Sequence, residues 1–326
     1  MNALHDSPTT LATTEIKRLG RTAGFDLVGI ARAEPIAEFE RYRAWLKRGF
    51  HGTMEYLARG AEARRDPRAV LPEARSVLCC ALNYLTHHPL GAEPSDPNQP
   101  IVSRYAWGDD YHAIVRRRLK RFLAMIEERL GRTVRARFCV DTAPLLERAL
   151  AARAGLGWIG KNNCLIHPAF GSFLFLGELL IDVELEPDQP TGDRCGRCEK
   201  CLAACPTGAL IEPRLLDARR CIAYLTIERH EPLDPTLASK LGRRVYGCDA
   251  CQNVCPWNQR AQRRLACNVR EFRPKPRLAG VRFAELAFDD ESAFREFFRG
   301  SVIRRVGLEG WRRNLAAALG EGKRQK

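Results

Sequence analysis

Residues 195–206 read CGRCEKCLAACP. Cys195, Cys198, Cys201 and Cys205, with Pro206, make a C-x2-C-x2-C-x3-C-P run. Three thiolates at that spacing wrap one face of a [4Fe–4S] cube, and the fourth reaches a second cluster. A shorter run follows in CDACQNVCP, where Cys248, Cys251, Cys255 and Pro256 give C-x2-C-x3-C-P. It is one cysteine short, and Cys221 in ARRCIAYLTIE is the nearest candidate for the missing ligand. The assignment then closes. One cluster takes Cys195, Cys198, Cys201 and, from the other run, Cys255. The second takes Cys205, Cys221, Cys248 and Cys251. Zinc also accepts four thiolates, but zinc sites pair C-x2-C with C-x2-C and have no use for the x3-C-P crossover. Of the 13 cysteines, Cys79, Cys80 and Cys139 fall in predicted buried strands, where a thiol behaves as a small hydrophobe. Cys164 and Cys267 have no assigned partner. Paired clusters move electrons singly and do no bond chemistry, so the acceptor must lie in the chain before residue 188.

That front part carries few groups suited to chemistry. Asp141, in CVDTAPLLERA, sits between a predicted strand and a predicted helix. It is either a helix N-cap, the common task of Asp there, or a general acid or base at the edge of a sheet where ligands bind. Arg148 follows seven residues later, two turns along the same helix face. RYAWGDDYHAIV gathers Arg104, Tyr105, Trp107, Asp110, Tyr111 and His112 before a helix. DYHAIV approaches D-x-H-x-x-G, by which some cobalamin proteins exchange their lower axial ligand for His. Val115 stands where that Gly would be, and the expectation for His112 is a bond to a neighbour at the helix start. GLGWIGKN, residues 155–162, imitates both a dinucleotide fingerprint and a P-loop. Neither fits, because a helix precedes the glycines and a strand follows, the reverse of what both motifs need. The glycines read instead as a helix end and a tight loop, with Lys161 and Asn162 falling near the edge that holds Asp141.

The elements that must position these groups alternate. Helices are predicted over about 10–23, 35–50, 111–130 and 143–155, and strands over 25–31, 76–85 and 133–140. CLIHPAFGSFLFLGELLIDVEL reads as two strands joined by a turn at 168–171. This is an α/β domain with a mixed sheet and helices on both faces, over residues 1–187. Residues 188–258 are Cys- and Pro-rich with short elements, and their cysteine spacing predicts a bacterial ferredoxin-like domain. Residues 259–326 form a basic helical region. Lys and Arg outnumber Asp and Glu by 53 to 39, and residues 256–326 alone hold 17 against 8. Such an excess suits an anionic macromolecule, nucleic acid above all. The opening stretch has no basic start followed by an apolar core, and the most apolar run is broken by Glu178 and Asp182. The expectation is a cytoplasmic monomer with no membrane partner.

In order, RYAWGDDYH, VDTAPLLERALA, GLGWIGKN, FGSFLFLGELL, CGRCEKCLAACPTGAL, DARRCIAYLTIE, YGCDACQNVCPWN and GSVIRRVGLEGWRRNLAAALG closely resemble epoxyqueuosine reductase, over about residues 15–320. The resemblance implies a cobalamin-dependent enzyme, related in its core to reductive dehalogenases, that reduces epoxyqueuosine to queuosine at the wobble position of tRNA. It implies that the clusters carry electrons from an external donor to bring cobalt to Co(I). It also implies Asp141 as proton donor, Arg148 and Asp110 at the substrate, and Arg64 at the cobalamin. Ser103 stands where some relatives have Cys. With Asp141, Lys161 and Asn162, Arg64 and Ser103 complete the expected cobalamin contacts. Arg304, Arg305, Arg312 and Arg313 are the expected tRNA contacts. A small-molecule reductase of the dehalogenase type and a two-cluster electron carrier are the alternatives. The basic tail argues against the first, and the unexplained front domain against the second. A proton donor at neutral pH needs a raised pKa, which predicts that Thr142 caps the helix and Asp141 points into an apolar pocket.

Overall fold

The computed structural model describes residues 12–320 apart from 92, 265, 266 and 268. The opening residues read for an export signal, and the basic residues after 320, lie outside that range. Four strands form the central sheet: β1 Leu27–Arg32, β2 Ser76–Asn83, β3 Ala136–Cys139 and β4 Leu174–Ile181, in the order β1-β2-β4-β3. The α/β class stands, but the sheet expected to be mixed is antiparallel at each of its three pairings. Helix–strand alternation suggests parallel neighbours, and β2 and β3 do run the same way, joined by a long helix. β4 then inserts between them in the opposite direction.

Both faces of the sheet are covered. Helices α1 (Thr13–Thr22) and α3 (Tyr111–Leu130) lie on one face, where Ile16, Leu19, Leu119 and Phe122 pack on Leu78, Leu82, Leu179 and Ile181. α2 (Phe39–Lys47) precedes β2. α4 (Glu147–Arg153) covers the other face, where Ala149, Leu150 and Ala151 meet Val77, Ala81 and Leu180. Every residue of β2 is buried, so this strand reads as a continuous apolar run and not as an alternation. Each large side chain so buried contributes about 1.5–3 kcal/mol. α3 lies so close to β4 that a Cβ on Gly177 would sit 2.4 Å from Val115.

The cysteine-rich part continues through α5 (Ile222–Ile227), and the chain closes with α6 (Gly307–Leu319). The tail returns to both preceding parts. Cys267 and Phe272 join the core under α3, while Phe294, Phe298 and Trp311 form a core with Ala106, Val245 and Tyr246. Asn314, fully buried on α6, donates to the carbonyls of Thr226 at 2.7 Å and Val245 at 2.9 Å. Among the described residues no helix is long and apolar enough to cross a membrane. Asn314→Ala should strand two buried carbonyls and lower the unfolding free energy by about 1–3 kcal/mol. A lower denaturant midpoint with unchanged slope is the expected reading.

Candidate active site and cluster sites

Cys195, Cys198, Cys201 and Cys255 bound one cavity of about 240 Å³, together with Trp257, Lys161 and Asn162. This is the first quartet expected from the spacing, with Cys255 supplied by the other run. Two one-turn helices, Lys200–Ala203 and Ala250–Asn253, pack together to bring the runs into contact. The thiol of Cys221 lies within electrostatic range of Cys205, Cys248 and Cys251, the three cysteines expected to join it. Among the described residues no group of three or more His, Cys, Asp or Glu is gathered tightly enough for a single metal ion. The first quartet surrounds a space, as a cube requires.

Donors are aimed at these sites. The Trp158 indole donates to Cys195 Sγ at 3.4 Å, and the Ala209 amide to Cys205 Sγ at 3.2 Å. Asn162 Oδ1 accepts from the Cys164 amide at 3.2 Å, which fixes the amide's orientation. Its Nδ2 is buried beside the first quartet with no partner among the described residues. A sulfur-rich cluster is the acceptor such a donor fits.

A second cavity, of about 260 Å³, is lined by Asp141, Glu147, Arg148 and Cys164 among others. Its aromatic wall is Tyr84, Tyr111 and Phe175. Tyr111 lies 4.3 Å from Phe175 with the rings 5° from parallel, and Tyr84 stacks on Phe175 at 4.2 Å. Gln252, next to Cys251, lines the same cavity, and Cys164 on its wall lies within electrostatic range of Cys255, Cys201 and Cys251. The stacked rings give the cavity an apolar side opposite Asp141, Glu147 and Arg148, a lining that suits a large redox cofactor with apolar and polar faces.

Asp141 is not a helix cap. α4 starts at Glu147 with Leu146 at the N-cap and no side-chain cap, so Thr142 does not cap it either. The stretch over 141–146 leaves the sheet through a left-handed turn, with Asp141 at φ 58°. Its amide donates to Glu147 Oε1 at 2.7 Å, and its Oδ2 lies 3.4 Å from His112 Nε2 and 3.8 Å from Arg305 Nη1. His112 Nδ1 meets Asp110 Oδ1 at 2.7 Å, while Asp110 caps α3 by accepting from the His112 amide. The hydrogen bond from His112, against the effect of burial, holds the Asp141 carboxyl below its usual range. Burial works to lower the His112 pKa, but Asp110 and Asp141 outweigh it and lift it to about 9. The neutral Asp141 expected for a proton donor is therefore corrected. At neutral pH the proton sits on His112, because an imidazole between two carboxylates is the better base. Burial, then the charge of Asp141, pushes Glu147 up to about 7.

The other expected contacts divide. Arg148 lines the Asp141 cavity and donates to the Asn163 carbonyl. Lys161 and Asn162 stand on the cysteine cavity and not at the Asp141 edge, because the hairpin of Trp158–Ile159 with Leu165–Ile166 turns them toward the clusters. At its start a Cβ on Gly157, φ 150°, would meet the Ile166 carbonyl at 2.1 Å. Arg64 is buried, donating to the Gly60 carbonyl at 2.9 Å. Ser103 donates to Asp249 at 2.8 Å. Arg312 and Arg313 direct their donors at backbone carbonyls of Phe288, Asp289 and Leu225. Arg305 bridges Asp141 and Glu228, and Arg304 is exposed. Spacing alone missed His112 as the link between Asp110 and Asp141, and it missed Glu147. The i, i+2 pairing of Asp110 with His112 at a helix start was the available signal. Asn162→Leu should lower the reduction potential of one cluster, since N–H···S bonds stabilise its more negative reduced form. Redox titration followed by electron paramagnetic resonance checks this, with the other cluster unshifted.

A family model described as Epoxyqueuosine reductase QueG, DUF1730, matches residues 64–142, and one described as 4Fe-4S double cluster binding domain matches residues 194–258. Epoxyqueuosine reductase of Escherichia coli K12 is 42% identical over 307 residues, 94% of this chain and 80% of that protein. A crystal structure of epoxyqueuosine reductase with a tRNA-Tyr epoxyqueuosine-modified stem loop superposes with a TM-score of 0.83 at 32% identity, covering 94% of this chain and 80% of the other. Epoxyqueuosine reductase from Bacillus subtilis, solved with its catalytic aspartate loop swung out of the active site, gives 0.83 at 31% identity over the same shares. With its paired cysteine quartets and the acid–base cavity beside one of them, this chain belongs to the epoxyqueuosine reductase family.

Proposed function

We propose that this chain reduces epoxyqueuosine to queuosine in tRNA. The observation that carries the reading is one cavity lined by Asp141 and Arg148, with His112 bonded to Asp141 and with Cys164 on its wall within electrostatic range of cysteines of both quartets. A plain electron carrier has no use for those acid–base groups. In this reading residues 1–187 form the catalytic domain, 188–258 the cluster domain and 259–326 the basic region that meets tRNA.

Cobalamin would be held along the Tyr84, Tyr111 and Phe175 side of the cavity and would supply a reducible cobalt centre for the epoxide chemistry. The protein's own share is positioning and proton supply. Arg148 orients the substrate, and the stretch over 141–146 carries Asp141 to the epoxide oxygen. The loop found swung out in the Bacillus subtilis relative supports a mobile role for this stretch. The proton held on His112 reaches that oxygen through Asp141, and Asp110 stabilises the imidazolium meanwhile. Arg64 and Ser103 would contribute further cobalamin contacts. An external one-electron donor loads the clusters, and the enzyme works as a cytoplasmic monomer.

Arg304 is the tail residue best placed for phosphate, with Arg305 at the seam between cavity and tail. Asp141→Asn should abolish turnover of tRNA carrying epoxyqueuosine while iron content and corrinoid uptake stay at wild-type levels. Full activity in that variant sinks the reading. Arg304→Gln should weaken tRNA binding and reduce the slope of log K against log salt by about one.

A further inference from the structure

Glu178 lies fully buried in the middle of β4, opposite Cys79 on β2 and Cys139 on β3. No N–H or O–H of the described residues reaches either of its oxygens. The group it meets is the carboxyl of Glu147, at hydrogen-bonding range. Two carboxylates in contact and out of water cannot both be ionised, and a proton between them is the donor that Glu178 otherwise lacks. The surrounding titratable groups are Cys79, Cys80, Cys139, Tyr111, Asp141, Arg148 and Arg153. Glu147 in turn lines the Asp141 cavity and accepts from the Asp141 amide. The pair thus runs from the closed interior of the sheet to the wall of the site.

We propose that Glu147 and Glu178 share one proton at neutral pH, and that this pair supplies the second proton consumed when an epoxide is reduced in the Asp141 cavity. The inference rests on the epoxide-reduction reading. Turning an epoxide into an alkene takes two electrons and two protons. Both C–O bonds break, a C=C bond forms, and the oxygen leaves as water. The electrons come singly from the external reductant through the cysteine quartets. One proton comes from His112 through Asp141. The other is the pair's shared proton, passed on by Glu147 as a solvent proton re-enters the pair through the cavity, which makes Glu178 a positioning and proton-holding residue.

Burial, then the charge of Asp141, raises Glu147 to about 7, and burial, then Glu147, pushes Glu178 higher still. The pair therefore gains a second proton as pH falls through about 7, and Glu178 keeps the shared one above it. Glu178→Gln keeps the size and still offers Glu147 an N–H donor, so a merely structural role would be rescued.

The test pairs infrared spectroscopy on the chain purified without corrinoid with turnover on the loaded enzyme. A protonated-carboxyl carbonyl band should be present at neutral pH, weaken but persist as pH rises through about 7, and be lost at alkaline pH in Glu178→Gln. Turnover of Glu178→Gln should fall about ten-fold, a modest general-acid effect, with unchanged KM and iron content and with the high-pH limb moved to lower pH. Wild-type turnover without the band overturns the reserve and leaves the function standing. So does a Glu178→Gln enzyme with wild-type rate and pH profile. The band without any wild-type turnover sinks the function reading and, with it, this use of the proton.

Discussion

A carboxylate taken out of water must find a cation or keep a proton, and the reactive cavity is organised by that constraint. Asp141 finds cations, His112 from α3 and Arg305 from the tail. Glu178 finds none and shares a proton with Glu147. Two acidic groups beside one cavity thus hold their protons differently. The Asp141 proton has moved to a neighbouring imidazole, while the Glu147–Glu178 proton is kept by desolvation. Arg305 also reaches Glu228 at 2.8 Å, so one guanidinium ties together the front sheet, the cysteine-rich part and the tail.

The cysteine quartets impose a second constraint. Cys255 reaches the cavity of Cys195, Cys198 and Cys201 from the other run, so the first run cannot enclose that space alone. The crossing brings the two runs into contact, with the Trp158 indole, Lys161 and Asn162 around the first quartet and Gln252, next to Cys251, on the Asp141 cavity. The tail holds this arrangement from behind through Asn314, which satisfies carbonyls of Thr226 and Val245 on two different elements.

Much of this was legible in the residues. The cysteine spacing alone paired Cys255 with the first run and Cys205 with the second, because thiolates around a cube impose a local and rigid pattern. The long helix over 111–130 and the buried strand β2 follow from apolar periodicity, which is also local. The capping role offered for Asp141 came from the same local reasoning and was wrong, since the turn after β3 delays the helix to Glu147. Lys161 and Asn162 were placed at the wrong cavity because a tight hairpin reverses the chain within ten residues.

Chain order and residue type therefore determined the family resemblance, the cluster ligands and the presence of an acidic group at the end of β3. Only the tertiary structure decided where the protons reside. That depends on which groups lose water together, and His112, Asp141, Arg305, Glu147 and Glu178 come from five separate places in the chain. Ionisation answers to distance and burial, and neither is written in linear spacing.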